Sequence, residues 1–202
     1  MKSRSPVGSE TLNSKHMEAF VNKVVLLMLA IVLSITAAAF AQDEGGTGYA
    51  EKPFQLALWT PVAVRAEDEA ITIFRLNVIY GRNVSIKGID LGIVNHCTGG
   101  VSKAWQIGVL NSVEGDFIGW QDGWVVNFTS GKFIGFQSGI YNEVAEAEAF
   151  QLGIINRADS MSGLQLGFVN WCENMHGIQI GLANYIASKE TLPFFVFVNW
   201  SF

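Results

Sequence analysis

The sequence predicts an all-β repeat protein. The expected form is an antiparallel meander of about ten strands closed into an up-and-down β-barrel, with a β-solenoid as the alternative stacking. Three observations carry this. Seven near-copies of Gln-x-Gly-x-x-Asn run through the second half about fourteen residues apart, so each unit must solve the same packing problem. Within a unit, alternate residues separate by polarity with a period of two, a strand signal that helical spacing fails to match. Short polar links separate the units.

The N-terminus reads as a leader. Lys23 precedes an unbroken apolar run from Val24 to Leu33, and Ile35 to Ala39 leads into Ala39-Phe40-Ala41. A basic flank, an apolar stretch and an A-x-A ending make residues 1–41 a secretory signal, with cleavage expected between Ala41 and Gln42. Val24 to Ala41 is also about long enough for a transmembrane anchor, the competing reading. Met17 starts a leader of ordinary length, Met17 to Lys23 forming its charged part. Residues 42–202 then form one β-repeat domain, with repeats over about 86–187 and a closing strand at 193–202.

Pro53 to Val64 and Ile71 to Tyr80 are expected as two strands ahead of the array. The repeats place Asp90, Gln106, Gln121, Gln137, Gln151, Gln165 and Gln179 at the first motif position. Gly92, Gly108, Gly123, Gly139, Gly153, Gly167 and Gly181 follow, then Asn95, Asn111, Asn127, Asn142, Asn156, Asn170 and Asn184. Trp124 adds a residue to the third unit, and Asp90 replaces Gln in the first, which interrupts a continuous Gln ladder there. In the unit Met161 to Cys172, one face reads Ser162, Leu164, Leu166, Phe168, Asn170, Cys172. The other reads Met161, Gly163, Gln165, Gly167, Val169, Trp171. Glu173-Asn174, Ala158-Asp159-Ser160, Ser130-Gly131 and Glu114-Gly115-Asp116 have hairpin-type residues. Ala145 to Ala149 prefers helix locally, but its place in the repeat makes it a strand start. The last strand puts Phe194, Val196, Val198, Trp200 and Phe202 in register with the Gln/Gly face.

Strand length, an even strand count, an export leader and a terminal Phe202 after alternating aromatics favour the barrel. Identity of position favours the solenoid, because parallel stacking sets Asn over Asn and Gln over Gln. A two-sheet sandwich is the remaining option. Two expectations separate the stackings. A solenoid makes Asn156 the neighbour of Asn170 and Asn184, whereas a meander sends them to alternate rims and Cys97 and Cys172 to opposite rims.

Beyond residue 41 the chain carries nine Lys and Arg against sixteen Asp and Glu, a net charge of −7. That balance excludes nucleic acid as a partner, since phosphate binding needs clustered cations, and it disfavours a polybasic membrane anchor. Glu114, Asp116, Asp159 and Glu173 fall in the links, where they keep turns wet. Cys97 and Cys172, the only cysteines, are expected as free, partly buried thiols. His96 and His176 lack companions at metal-ligand spacing, and no nucleophile elbow, phosphate loop or paired-carboxylate motif appears. No cofactor is implied and no enzyme activity is expected. The repeat glycines serve close approach of a neighbouring chain. The six glutamines form an amide ladder, or else line a lumen or a binding face. Trp105, Trp120, Trp124, Trp171 and Trp200 suit a membrane interface, glycan stacking or plain packing.

Gly163-Leu164-Gln165-Leu166-Gly167-Phe168-Val169-Asn170 and Gly177-Ile178-Gln179-Ile180-Gly181-Leu182-Ala183-Asn184 resemble bacterial surface-repeat proteins built from Gly-Leu-Gln-x-Gly-Leu-Val-Asn units. Leu76 to Asn83 and the closing Val198-Asn199-Trp200-Ser201-Phe202 extend the resemblance over nearly all of the chain after the leader. It implies a cell-surface or outer-envelope location and carries no catalytic residues. The expected function is therefore a non-enzymatic, exported envelope protein of outer-membrane barrel type, structural or adhesive and membrane-associated. The alternatives are a soluble β-solenoid module for a glycan or protein partner, or a small pore.

Overall fold

The computed structural model describes residues 48–202, so the leader and its cleavage site lie outside the described residues. Seven strands are assigned: β1 (Glu51–Trp59), β2 (Val62–Ala63), β3 (Ala70–Asn83), β4 (Lys87–Cys97), β5 (Val101–Val113), β6 (Asp116–Ile186) and β7 (Phe194–Ser201). They follow one another in a single sheet, order β2-β1-β3-β4-β5-β6-β7. β1 pairs with β3, β3 with β4, β4 with β5 and β5 with β6, all in parallel. β6 is 71 residues long and coils on itself, Asn127 bonding Asn142 and Asn142 bonding Asn156 at separations of 15 and 14 residues.

The architecture is thus a β-solenoid, and the antiparallel barrel is corrected. The reason lies in the amides. Parallel rungs lay each Asn on its counterpart, whereas a meander would leave buried amide groups at alternate rims without partners. Asn156 does neighbour Asn170 at 2.8 Å, and Asn170 neighbours Asn184 at 2.8 Å. Cys97 and Cys172 are both free and share the buried core, not opposite rims.

Four columns of inward side chains fill the coil. The first is Ile71, Ile86, Ser102, Phe117, Phe133, Ala147, Met161 and Met175. Arg75, Asp90 and the six glutamines make the second, and Asn95 to Asn184 the third. The fourth is Asn83, Cys97, Val113, Thr129, Val144, Ala158, Cys172 and Ile186. From first to second column the spacing is four residues in every rung, and from each repeat Asn to the fourth it is two. Length varies at the corner after the fourth column. Four residues stand between Cys97 and Ser102, three between Val113 and Phe117, and two between Cys172 and Met175. The other variable place is the second-to-third step, where Trp124 stretches Gln121 to Asn127.

The polar links are these corners and do not reverse the chain. Glu173 and Asn174 both face outward inside β6, because the chain needs only a bend to begin the next rung. The two-face assignment of the unit also changes. Phe168 and Val169 are consecutive outward residues, so Gln165, Asn170 and Cys172 all point inward while Leu164 and Leu166 lie outside. A closed coil requires such breaks in strict alternation. In the last strand Asn199 opposes Gln179 and is buried, which throws Val198 and Trp200 outward. A Gln-lined lumen is absent from the described residues: every repeat Gln is 0% exposed and bonded to its neighbours in the column. Ala145–Ala149 runs as strand within β6, with Ala147 buried in the first column.

Each end of the sheet is covered differently. The two-residue β2 flanks β1 antiparallel at the N-terminal edge. β7 turns back antiparallel over the last rung, pairing Gly177 with Ser201 and Tyr185 with Phe194. Terminal units of a repeat array characteristically differ from the internal ones in this way.

Candidate functional site

The interior is a pair of hydrogen-bonded amide columns that run in opposite senses. In the Asn column each Nδ2 donates toward the C-terminus, from Asn77 to Asn95 (2.8 Å), Asn95 to Asn111 (2.9 Å) and onward to Asn184. The second Nδ2 hydrogen bonds a rung carbonyl, as Asn156 does with Leu166 O at 3.0 Å. In the Gln column each Nε2 donates toward the N-terminus, from Gln179 to Gln165 (2.7 Å) down to Gln121 and Gln106 (2.8 Å). Gln106 Nε2 then donates to Asp90 Oδ2 at 2.7 Å. A carboxylate has no proton to give, so Asp90 fixes the donor sense of every glutamine after it.

Asp90 is therefore the terminus of the ladder. Arg75 neutralises it through a two-pronged contact, Nε to Oδ1 at 2.8 Å and Nη2 to Oδ2 at 2.6 Å, with both side chains fully buried. Arg75 also donates to His96 O at 3.1 Å and to Cys97 Sγ at 3.3 Å. Burial opposes the Arg75 charge, but Asp90 and Cys97 hold its pKa above the ordinary guanidinium range. Sequence reasoning missed Arg75. Its signal is spacing, since it follows Ile71 by the four residues that separate every first-column residue from its Gln.

The repeat glycines make room for the Asn column. A Cβ on Gly167 would lie 2.5 Å from Gly153 O and 2.6 Å from Asn156 Nδ2. A second glycine column, occupied by Gly119, Gly135, Gly163 and Gly177, was not singled out from sequence. Gly163 there has φ +138°, and a Cβ would meet Ala149 O at 2.0 Å.

The chemistry-bearing residues outside the columns are few. His96 bridges Tyr80 (Nδ1 to Oη, 2.9 Å) and Glu114 (Nε2 to Oε1, 2.8 Å). Partial burial pushes the Tyr80 phenol up, the reverse of activation as a nucleophile. His176 meets the Phe202 ring edge-on at 5.8 Å. Among the described residues no group of three His, Cys, Asp or Glu could hold a metal ion. Burial pushes Cys172 up to about 12, and Cys97 is raised chiefly by burial too, so both thiols stay protonated.

What remains is the outer surface. Trp105, Trp120, Phe136 and Phe150 form a continuous aromatic run with ring centroids 6.2, 4.6 and 5.3 Å apart. Trp124 stands 71% exposed at the insertion of its rung. Trp171 and Trp200 lie elsewhere, beneath Arg157 and Lys189 respectively. Beside the aromatic run a groove follows the repeat glycines. Its floor is Gly123, Gly139, Gly153, Gly167 and Gly181. Leu152, Leu166 and Ile180 form one wall, Ile140, Ile154, Phe168 and Leu182 the other, and Phe197 sits at its C-terminal end. No Lys or Arg lines it; its polar residues are Asp122 and Ser138, which bond each other at 2.7 Å. The charged residues cluster elsewhere, where Lys132 meets Glu146 and Glu148 and Arg157 meets Glu143. No protein-family model, curated protein or solved structure matches the chain.

Proposed function

We propose that this chain is a non-enzymatic, exported β-solenoid module of the cell envelope that docks on a partner through its apolar outer surface. The observation that carries this reading is the exposure of Phe168, Leu182, Ile154 and Trp124 on a rod whose interior Gln and Asn side chains bond one another in columns. Soluble monomers rarely leave more than a few hundred Å² of contiguous apolar surface facing water. An aliphatic groove with a single polar pair also favours an apolar partner over a glycan, whose hydroxyls need many hydrogen bonds. The leader read in residues 1–41 supplies the export. The pairing of Gln with Gln and Asn with Asn along the buried columns supports a structural role.

Fractionation of a Gram-negative host expressing the chain tests this. The expected result is recovery with the envelope, and release into the soluble periplasm when Ile140, Ile154 and Trp124 are all replaced by Asn. Envelope retention unchanged by those substitutions would remove the apolar surface from the account.

A further inference from the structure

We infer that the partner of the groove is a second copy of this chain, packed face to face about a two-fold axis; the inference rests on the docking role proposed above. The groove and its outer wall lie side by side. Both run along the solenoid axis and repeat at the rung spacing, so a ridge of Ile154, Phe168 and Leu182 from one copy fits the glycine-floored trough of another. A two-fold axis across the rod makes both insertions at once, which is the requirement for an isologous interface. Five glycines mark the trough, a length of about 19 Å at ~4.8 Å per rung.

Area supports the same occupant. Phe168 is 58% exposed, Leu182 57%, Phe197 67% and Trp124 71%. With their half-exposed aliphatic neighbours they offer on the order of 1,000 Å² per copy, against roughly 800 Å² per partner in a stable complex. A bilayer fits less well. The Asp122 carboxylate lines the groove, and hydrocarbon strongly disfavours a buried carboxylate. The groove also lacks the Lys and Arg that draw a protein to anionic lipid, and the chain after residue 41 is net negative. In a face-to-face pair Asp122, beside the first of the five trough glycines, lies at the rim, where interfaces stay polar and solvated.

The full chain, expressed in a Gram-negative host and purified without detergent, is examined by sedimentation velocity at micromolar concentration. A dimer is expected. The double variant Phe168→Ser, Leu182→Ser should raise its dissociation constant about a hundredfold or more, because four large apolar side chains leave the interface. Both positions are exposed, so circular dichroism and protection of the Cys172 thiol should match the unsubstituted chain. A dimer that the double variant leaves intact overturns the inference. So does a monomer that floats with neutral phosphatidylcholine vesicles, which assigns the groove to lipid and keeps the docking role. A monomer that associates with neither itself nor vesicles, and fractionates like the double variant, overturns both.

Discussion

The rungs before and after Val144 keep the same interior at different lengths. Asn95, Asn111, Asn127 and Asn142 are separated by 16, 16 and 15 residues, whereas Asn142, Asn156, Asn170 and Asn184 are separated by 14 each time. The earlier rungs also carry larger and more polar fillers, with Phe117 stacked on Phe133 at 5.5 Å and the Arg75–Asp90 pair below them. Later rungs use Ala147, Met161 and Met175. The difference teaches where the fold is strict. Spacing toward the Gln column and from Asn to the fourth column never changes, while the polar corner absorbs extra residues.

The largest test of that contrast moves one residue. A glycine inserted between Leu164 and Gln165 should turn Gln165 outward and disorder the rungs after it, because side chains alternate with a period of two. The same insertion between Glu173 and Asn174 lengthens a corner to the size found earlier in the chain. It should cost under about 1 kcal/mol, in line with the weak dependence of loop closure on length. Urea unfolding of the two variants compares them directly, and equal losses would sink the distinction.

Next is the charged terminus of the Gln column. Asp90→Asn leaves Arg75 buried without its counter-charge and should cost about 3–5 kcal/mol. Glu143→Gln, which breaks the surface pair with Arg157 (44% exposed side chain), should cost no more than about 1 kcal/mol. Within the uniform rungs, Asn156→Ala strips partners from Asn142 and Asn170 and should cost about 2–3 kcal/mol. Denaturant midpoints order the three, and an Asp90 effect no larger than that of Glu143 would show that the charge is not confined by the fold.

The smallest effect concerns the thiols. Cys172 stays neutral in the fold to about 12, while in the unfolded chain it ionises near 9.0. Its contribution is therefore complete below about pH 9 and is lost as pH rises toward 12. Thermal scans should show a shallower alkaline decline for Cys172→Ala than for the unsubstituted chain. At pH 8, a disulfide reagent should label neither cysteine faster than the protein opens.

Much of this was legible before the fold was known. The all-β class followed from the period of two, and the parallel stacking was visible in the recurrence of Asn, though the aromatic ending at Phe202 pulled toward a barrel. What misled was continuity: alternation from Met161 to Gly167 looks like the start of one flat strand. The break at Phe168 and Val169 places two apolar residues outward in succession, which simple alternation cannot express. The same break hid the groove, because strict alternation sets Leu166 and Phe168 on one face and Val169 on the other. Arg75 stayed hidden because it lies ahead of the first recognisable motif, where only its distance from Ile71 marks the column.

The opposed donor senses of the two amide columns carry an electrical consequence. In an α-helix the peptide dipoles add, leaving partial charges at the two ends. Here the Asn amides point toward one end of the rod and the Gln amides toward the other, so their moments subtract rung by rung. Lengthening the rod by another rung adds one amide to each column and almost nothing to the field at its ends. Growth by repeat duplication is therefore electrostatically neutral, and the ion pair of Arg75 and Asp90 can terminate a short rod or a long one equally well.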